Sequence, residues 1–397
     1  MRRAGLVIAL VLVLAGACAA GAAAPRGPAG DRCALWYGIG DTPTDAELDD
    51  AAGRYGVVVL NAWETAALRR IKDRAPDTTV LVYKDLSSTR DYAGALRGPG
   101  EDAERLPTGV GFARAEREEP GWFARDSAGA RIEWGPYPQH WQMAVWDPSY
   151  QRAWAQDVTA EAVEQGWDGV FADNDFASLR FYSDAVLEGT ADAAATDRLV
   201  RDGLDGLVTT AGEHLAAEGK VFVPNVSEAR LFPGRWTTHS RFGGAMDENF
   251  ALRGDDGLLT WQGAGWTELL ATAADPDRLT LLVTAGGEAQ ARTGDAAAAL
   301  LAAPGTCWSA STEPGYLVPE WTRTQELTLG ATRGPAREAG GGVWVREFAR
   351  GWAAVNPTTG AVDVDPPAGL ATADGAAVRG TLRLEAGDGV LLVRPPV

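Results

Sequence analysis

Apolar residues in this chain fall into short uninterrupted runs and into longer stretches with helical spacing. We predict strands for eight of the short runs, at residues 34–40, 57–63, 79–83, 169–172, 221–224, 244–246, 279–284 and 306–309. Runs of this kind are typical of parallel strands that are covered on both faces. Segments between them predict helices, for example residues 147–165, where Pro148 follows a capping Asp147. The pattern predicts an α/β fold, a (β/α)8 TIM barrel over residues 31–335. A doubly wound sheet is the alternative.

The pattern changes near residue 335. Short apolar runs at 343–348, 352–355, 382–384 and 390–393 are separated by turns rich in Gly and Pro. We therefore predict a small antiparallel, β-sandwich-like domain over residues 340–397. Within the barrel, residues 85–146 lack clear periodicity and are rich in Trp, Gly and charge. Loops of that length inside a compact domain are usually functional.

The first 25 residues are typical of a secretory signal peptide. Two arginines precede an apolar run at residues 6–14 and small residues up to Ala24. Cys18 follows a small residue, as in the lipobox of bacterial lipoproteins, which predicts lipidation at Cys18. Residues 22–24 offer a rival cleavage site, and a core helix is the remaining alternative. We expect an extracellular bacterial protein, either free or anchored as a lipoprotein to the outer face of the cell membrane.

The predicted export bears on the redox state of the two remaining cysteines. Cys33 and Cys307 form an even pair in an oxidising compartment, and the barrel prediction places both near one seam. The sequence thus predicts a disulfide between them. Two unrelated buried thiols are the alternative.

Charge and histidine content exclude several function classes. The formal net charge is −18, and such a surface repels phosphate backbones, so we expect no nucleic-acid partner. The three histidines, at positions 140, 214 and 239, lack metal-binding spacing, so we expect no metal. We also expect no cofactor, a monomeric protein, and no membrane contact other than the anchor.

Carboxylates dominate the polar residues that follow the predicted strands. In a (β/α)8 barrel these positions face the active site. The set comprises Asp41, Glu64, Lys84, Asp85, Asp173, Asp175, Asn225, Glu228, Asp247, Glu248, Glu288 and Glu313. Carboxylates without metal-binding histidines suit glycosidic bond cleavage. There one carboxylic acid protonates the leaving oxygen, and one carboxylate attacks carbon or activates water.

The strongest candidate segment ends a strand in acid–amide–acid. Its period of two presents Asp173 and Asp175 on the same side. We predict Asp173 as nucleophile or base and Asp175 as a substrate-binding residue. Helix capping or Ca²⁺ binding is the structural alternative. We expect Lys84 and Asn225 to bind the substrate as well.

The second candidate segment contains two adjacent carboxylates. Asp247 and Glu248 face opposite sides of a strand, so they are not expected to share a role. We predict Glu248 as the general acid because Met246, two residues earlier, could face the barrel interior beside it. A salt bridge is the alternative role for Glu248.

Aromatic residues strengthen the case for a sugar ligand. The chain has 15 Trp, and an aromatic face can stack on the C–H face of a sugar. We expect Trp63 and Trp141 to form such platforms and His140 to hydrogen-bond substrate hydroxyls. Core packing is the alternative for any single Trp.

Four short motifs give the chain a family resemblance. They are Trp-Asp-Gly-Val-Phe-Ala-Asp-Asn at 167–174, Trp-Asp-Pro at 146–148, Pro-Asn at 224–225, and Met-Asp-Glu-Asn-Phe at 246–250. With these motifs the chain resembles the glycoside-hydrolase-like TIM-barrel families of bacteria. It most resembles hypothetical glycosyl hydrolase family fifteen, over residues 33–335. Polygalactosaminidase-type barrels share the general plan.

The resemblance implies a (β/α)8 fold and glycosidase activity. Related barrels use an Asp after the fourth strand as nucleophile, which corresponds to Asp173. Their general acid varies in position between strands. The predicted function is hydrolysis of an extracellular polysaccharide or oligosaccharide by a carboxylate pair. The alternatives are a glycan-binding lipoprotein without catalysis and a hydrolase of another kind, such as a Ca²⁺-dependent esterase. The missing GxSxG motif argues against the esterase.

Overall fold

The computed structural model describes residues 31–395, except 227–230, 252–257, 259–260, 262–263, 312–315 and 320. The predicted signal peptide and the lipidation site at Cys18 lie outside the described residues. Two of the predicted strand-end carboxylates, Glu228 and Glu313, lie outside them as well.

Eight parallel strands form the central sheet. They are β1 (Cys33–Gly38), β2 (Val57–Leu60), β3 (Thr79–Asp85), β4 (Gly169–Asp173), β5 (Val221–Pro224), β6 (Gly244–Asp247), β7 (Leu279–Ala285) and β8 (Thr306–Ser311). Hydrogen-bonded neighbours follow the order β5-β4-β3-β2-β1-β8-β7-β6. Parallel bridges from Phe222 to Gly243 and from Asn225 to Met246 join β5 to β6. The sheet therefore closes into the predicted (β/α)8 barrel, and a doubly wound sheet is excluded.

Within the described residues, eight α-helices accompany these strands. They are α1 (Asp45–Ala51), α2 (Thr65–Arg74), α3 (Phe112–Glu118), α4 (Pro148–Gln165), α5 (Ala193–Ala217), α6 (Arg235–His239), α7 (Gly265–Ala273) and α8 (Glu288–Leu300). The α4 helix illustrates how the sequence sets their ends. The Asp147 side chain accepts a hydrogen bond from the Ser149 amide, and Gly166 ends the helix with a φ of 80°.

Alternation along the strands separates the barrel interior from the helix-facing layer. The interior cluster contains Leu35, Tyr37, Val57, Val59, Leu81, Tyr83, Phe171, Val223, Met246, Leu281, Val283 and Cys307. The residues between them, such as Val58, Val82 and Val170, pack into the layer that includes the helices. The alternation continues past the strand ends. Asp173 and Glu248, which lie two positions after Phe171 and Met246, therefore lie at the barrel mouth.

A long insertion separates β3 from α4. It holds a three-stranded antiparallel sheet of Ser88–Arg90, Glu133–Trp134 and Tyr137–Gln142, and a two-stranded sheet of Leu96–Gly98 and Glu101–Asp102. These strands have two to six residues, and the register shifts between the second and third strands of the larger sheet. Such short and irregular pairing explains why the sequence shows no periodicity here.

The chain ends in two antiparallel sheets. The larger contains Arg337–Glu338, Trp344–Glu347, Gly351–Val355 and Gly389–Val393, and the smaller contains Val362–Val364 and Leu382–Leu384. Ala353 and Leu391 of the larger sheet share a core with the alanine-rich face of α8. Trp352 and Leu392, on its other face, pack with residues of the smaller sheet. The larger sheet therefore packs against α8 with one face and against the smaller sheet with the other.

A disulfide joins the first and last barrel strands. Cys33 and Cys307 occupy paired positions of β1 and β8, with Cα atoms 4.5 Å apart and a sequence separation of 274. The bond closes the loop that contains the whole barrel. Among the described helices, none has the length and apolar character needed to cross a membrane.

Removing this disulfide should destabilise the protein. Reduction or a Cys307→Ala substitution is expected to lower the free energy of unfolding by about 2 to 5 kcal/mol, because the unfolded chain loses a long-range constraint. Urea unfolding with and without a reductant measures the effect. A Cys33→Ala/Cys307→Ala double variant, the control, should not respond to the reductant. Equal stability of oxidised and reduced wild type would contradict the prediction.

Candidate active site

Two carboxylates share one amide group at the mouth of the barrel. Asn225 Nδ2 donates to Asp173 Oδ1 at 3.0 Å and to Glu248 Oε2 at 2.7 Å. Asp173 ends β4, Asn225 follows β5 and Glu248 follows β6. The three residues continue the inward phase of Phe171, Val223 and Met246. The structure therefore brings together three of the predicted site residues.

Further donors point at the same carboxylates. Asp173 Oδ2 accepts a hydrogen bond from the Tyr83 hydroxyl at 2.8 Å, and Asp173 Oδ1 accepts one from the Asn174 amide at 2.8 Å. The Tyr316 hydroxyl, from the segment after β8, donates to Glu248 Oε1 at 2.7 Å. Hydrogen bonds to a carboxylate favour its ionised form and fix its orientation.

Burial opposes ionisation of Asp173. Burial and the negative charge of Asp85 raise the pKa of Asp173, whereas the hydrogen bonds from Asn225 and Tyr83 lower it. Burial, Asp173 and Glu248 also raise the pKa of Tyr37 far above its ordinary value, so the Tyr37 hydroxyl keeps its proton. The site is thus a buried acidic centre that is lined by neutral hydroxyl groups.

The spacing of the two carboxylates constrains the chemistry. Because Asp173 Oδ1 and Glu248 Oε2 lie within 3.0 Å of one nitrogen, these two oxygens are within about 6 Å of each other. Retaining glycosidases hold their two carboxyl groups about 5–5.5 Å apart, and inverting enzymes hold them about 6.5–9.5 Å apart. A bound of this size on the nearest oxygens is compatible with the shorter spacing.

The insertion after β3 builds an aromatic wall beside the site. His140 stacks on Trp134 with ring centroids 5.9 Å apart, and Trp134 stacks on Tyr182 at 3.9 Å. Tyr137 lies next to His140 at 5.7 Å and is 52% exposed. Burial and the charge of Arg90 lower the pKa of His140, so its ring is neutral near pH 7. Neutral rings of this kind can stack on and hydrogen-bond to sugars.

The two predicted Trp platforms have different environments. Trp63 follows β2 and is 48% exposed, as a platform requires. Trp141 instead packs against the hydrophobic core, with its ring 6.2 Å from that of Phe112. The expectation that Trp141 stacks on substrate therefore needs correction, because its ring faces the core of the insertion.

Lys84 also needs correction. It lies between Tyr83 and Asp85 on β3, so its side chain points to the opposite face, away from the barrel mouth. The side chain is fully buried, and its Nζ donates to Glu161 Oε2 at 2.7 Å and to the Leu106 carbonyl at 2.6 Å. Burial lowers the pKa of Lys84. Lys84 thus fastens the insertion to α4.

Asp175 has different partners from those of Asp173. Asn174 adopts a φ of 65°, which breaks the strand alternation between the two acids. The Asp175 carboxylate accepts a hydrogen bond from Arg235 Nη2 at 2.5 Å and another from His239 Nδ1. The predicted period of two therefore does not carry Asp175 to the substrate side, and its carboxylate lies in a buried ion pair.

The other strand-end acids have structural surroundings. Asp85 accepts hydrogen bonds from Ser87 and Ser88 and pairs with Arg90. Glu64 accepts a hydrogen bond from the Asn61 amide before α2, and burial raises the pKa of Glu64 to about 7. The remaining members of the predicted set are Asp41, which is exposed, Asp247, on the opposite face of β6 from Met246, and Glu288, at the start of α8.

Three functional candidates escaped the sequence reasoning: Tyr83, Arg90 and Tyr316. Tyr83 could have been found, because it lies two residues before Asp85 and shares its inward phase. Arg90 and Tyr316 approach the site from segments outside the barrel strands, and no local pattern marks them. Across the described parts of the chain, no group of three or more His, Cys, Asp or Glu side chains could hold a metal ion.

A family model matches the greater part of the chain. The match is to hypothetical glycosyl hydrolase family 15 and spans residues 72–352. The chain belongs to this family. The matched range contains both carboxylates of the site, the insertion and the first strands of the C-terminal sheet. The family and the barrel support a carbohydrate-active enzyme. No curated protein sequence matches the chain.

Several solved structures are similar to the chain at low sequence identity. The glycoside hydrolase domain of PelA from Pseudomonas aeruginosa is 16% identical, with a TM-score of 0.45 over 73% of this chain and 97% of that chain. An alpha-amylase from Geobacillus thermoleovorans, complexed with acarbose, is 12% identical, with a TM-score of 0.42 over 92% and 98%. A cycloalternan-degrading enzyme from Trueperella pyogenes, with isomaltose, is 12% identical, with a TM-score of 0.49 over 92% and 62%. Likenesses at this level say nothing about the substrate.

The buried pairing of Asp175 predicts a specific acid sensitivity. Burial raises its pKa, but Arg235 and His239 outweigh that effect and lower the pKa to about 2. Because this value lies below that of an unfolded Asp, the pairing stabilises the fold at neutral pH. That stabilisation, about 2 to 3 kcal/mol, is lost as the pH falls from about 4 to 2.

An Asp175→Asn variant tests this. It should be less stable than wild type at pH 7 by about 3 to 5 kcal/mol, because Arg235 loses its buried counter-charge. It should also lose less stability than wild type on acidification. Urea unfolding at a series of pH values measures both effects, with exposed Asp41→Asn as the control. Parallel acid profiles for wild type and Asp175→Asn would contradict the assignment.

Proposed function

We propose that this chain is an exported glycoside hydrolase that cleaves a glycosidic bond of an extracellular polysaccharide or oligosaccharide. The observation that carries the proposal is the Asp173–Asn225–Glu248 arrangement, in which one amide holds two carboxylates at the barrel mouth. Family membership supports the reaction class. The leader pattern at residues 1–25 and the Cys33–Cys307 disulfide support export and, through Cys18, a lipid anchor.

Asp173 is the nucleophile in this proposal. Three donors stabilise its negative charge: the Tyr83 hydroxyl, the Asn225 side-chain amide and the Asn174 backbone amide. An ionised carboxylate with a fixed orientation can attack the anomeric carbon and form a glycosyl–enzyme ester. The glycosidic oxygen leaves as this bond forms.

Glu248 is the general acid. In its protonated form it donates a proton to the departing glycosidic oxygen, and it then takes a proton from the water that hydrolyses the ester. Glu248 is partly exposed and its hydrogen-bond partner Tyr316 is 43% exposed, which supports access of a leaving group to Glu248. Asn225 keeps the two carboxylates in register.

The substrate lies between aromatic surfaces in this proposal. Tyr137 and Trp63 are exposed near the barrel mouth, and His140 lies beside Tyr137. The neutral imidazole of His140 can hydrogen-bond sugar hydroxyls, while the exposed rings stack on C–H faces. These groups would bind substrate without contributing to bond cleavage.

Loss of either carboxylate should abolish turnover. Asp173→Asn and Glu248→Gln are each expected to lower kcat by about a thousandfold or more, because each removes one partner of the acid and nucleophile pair. Reducing-sugar release from a panel of cell-wall and plant polysaccharides measures this. Asp247→Asn, a change on the opposite face of β6 from Met246, is the matched control and should retain activity.

The outcomes of this comparison separate the alternatives. Activity in both wild type and Asp173→Asn would mean that Asp173 is not the nucleophile. Glycan binding without release by wild type would replace the proposed enzyme with a non-catalytic binding protein.

With Asp173 as nucleophile and Glu248 as general acid, the proposal predicts retention of configuration. The first product formed from an active substrate should have the same anomeric configuration as the bond that was cleaved, because two displacements occur at one carbon. Proton NMR of the reaction before mutarotation identifies the product. An inverted product would show that a water molecule attacks directly, with Asp173 acting as its base.

A further inference from the structure

Arg90 begins a buried hydrogen-bond chain that ends at Asp173. Its Nη2 donates to the Tyr83 hydroxyl oxygen at 3.1 Å, and the Tyr83 hydroxyl donates to Asp173 Oδ2 at 2.8 Å. The same Nη2 lies 3.2 Å from Asp85 Oδ2. Arg90 belongs to the strand Ser88–Arg90, so the insertion, and not the barrel, supplies this cation.

The direction of the chain follows from the chemistry of its members. A guanidinium group has only donors and stays charged in proteins. The Tyr83 oxygen therefore accepts from Arg90, and its own hydrogen is left to point at Asp173. Burial and the charge of Asp173 raise the pKa of Tyr83 far above its ordinary value, so that hydrogen stays on Tyr83.

Arg90 is itself held from several sides. Its Nη1 donates to the Tyr92 hydroxyl at 3.1 Å, and its guanidinium lies 5.7 Å from the centre of the Tyr83 ring. Asp85 is fully buried, and its orientation is fixed by the amides of Ser87 and Ser88 at 2.8 and 2.9 Å. The guanidinium therefore has one defined orientation relative to Tyr83.

We propose that Arg90 is a positioning residue that acts through Tyr83 to orient Asp173 and to favour its charged form. The inference rests on the proposed function, in which Asp173 must be ionised to attack carbon. Burial and Asp85 both work against that charge. Arg90 counters both, because it neutralises Asp85 and polarises the Tyr83 hydroxyl toward Asp173.

Arg90 is the cation nearest to Asp173 through this chain, and the groups that face Asp173 directly are neutral or acidic. The titratable and charged groups that face Asp173 are Tyr37 on β1, Tyr83 and Asp85 on β3, Tyr182 after β4, Glu248 after β6 and Tyr316 after β8. Among these described neighbours none carries a positive charge. A change in the titration of Asp173 on replacing Arg90 therefore reports the loss of this cation.

The test is a direct titration of Asp173 that does not depend on activity. Protein labelled with ¹³C at the Asp carboxyl carbons is titrated by NMR, and the Asp173 signal is assigned by its loss in Asp173→Asn. Arg90→Met is expected to raise the pKa of Asp173 by about one pH unit. Arg90→Lys should raise it less, because it keeps the charge but lacks the planar fork.

The Tyr83→Phe variant tests whether Arg90 acts on Asp173 through the Tyr83 hydroxyl. It should also raise the pKa of Asp173, because it removes a donor to the carboxylate. In the Tyr83→Phe background, Arg90→Met should then raise the pKa of Asp173 by less than the same substitution does in the wild-type background. Arg131→Met is the matched control, since Arg131 lies in the same insertion but pairs with Glu116 and stacks on Phe123.

Each outcome bears on the proposal. The same Asp173 pKa in wild type, Arg90→Met and Arg90→Lys would overturn it, as would an equal shift in Arg131→Met. If Arg90→Met does not fold, Arg90→Lys and Tyr83→Phe carry the test, and unchanged values in both would overturn it. In an active enzyme the acidic limb of the kcat/KM profile should move to higher pH together with the NMR value. If Asp173 titrates as predicted but no glycan is cleaved, the proposed function fails and the role of Arg90 stands.

Discussion

One amide nitrogen holds two carboxyl groups at the barrel mouth, and the rest of the site is arranged around that shared donor. Asn225 donates to both Asp173 and Glu248. The bridge that closes the barrel pairs Asn225 with Met246, two residues before Glu248. The pairing of β5 with β6 that closes the barrel therefore also brings the two acids together. Any change that loosens β5 against β6 should separate the acids as well.

The insertion after β3 serves two structural purposes. One side delivers Arg90 and His140 to the barrel mouth, while the other packs Trp141 and Phe112 into its own core. Lys84 connects the insertion to α4, because its Nζ pairs with Glu161 of α4 and donates to the Leu106 carbonyl of the insertion. The cation that the insertion supplies also pairs with the buried Asp85 of β3, so the insertion contributes both to the stability of the barrel and to the electrostatics of Asp173.

Alternation along buried strands explains both the successes and the errors of sequence reasoning. It predicts Glu248 on the side of Met246, and in the structure Glu248, in the turn after β6, accepts a hydrogen bond from Asn225. It failed for Asp175, because Asn174 turns the chain with a positive φ. The prediction for Lys84 is wrong because Lys84 is one residue out of phase with the inward-facing Tyr83 on β3. Arg90 had no signal at all, since a three-residue strand in an irregular insertion has no readable period.

The most direct test of this account is to trap the glycosyl–enzyme. A panel of activated fluoro-sugars or epoxide sugar analogues would be incubated with the protein, and the labelled peptide would be identified by mass spectrometry. The account predicts a single adduct on Asp173 and none after Asp173→Asn. An adduct on Glu248 would reverse the two roles. Glycan turnover by an enzyme whose Asp173 is never labelled, while another carboxylate is, would contradict the central claim.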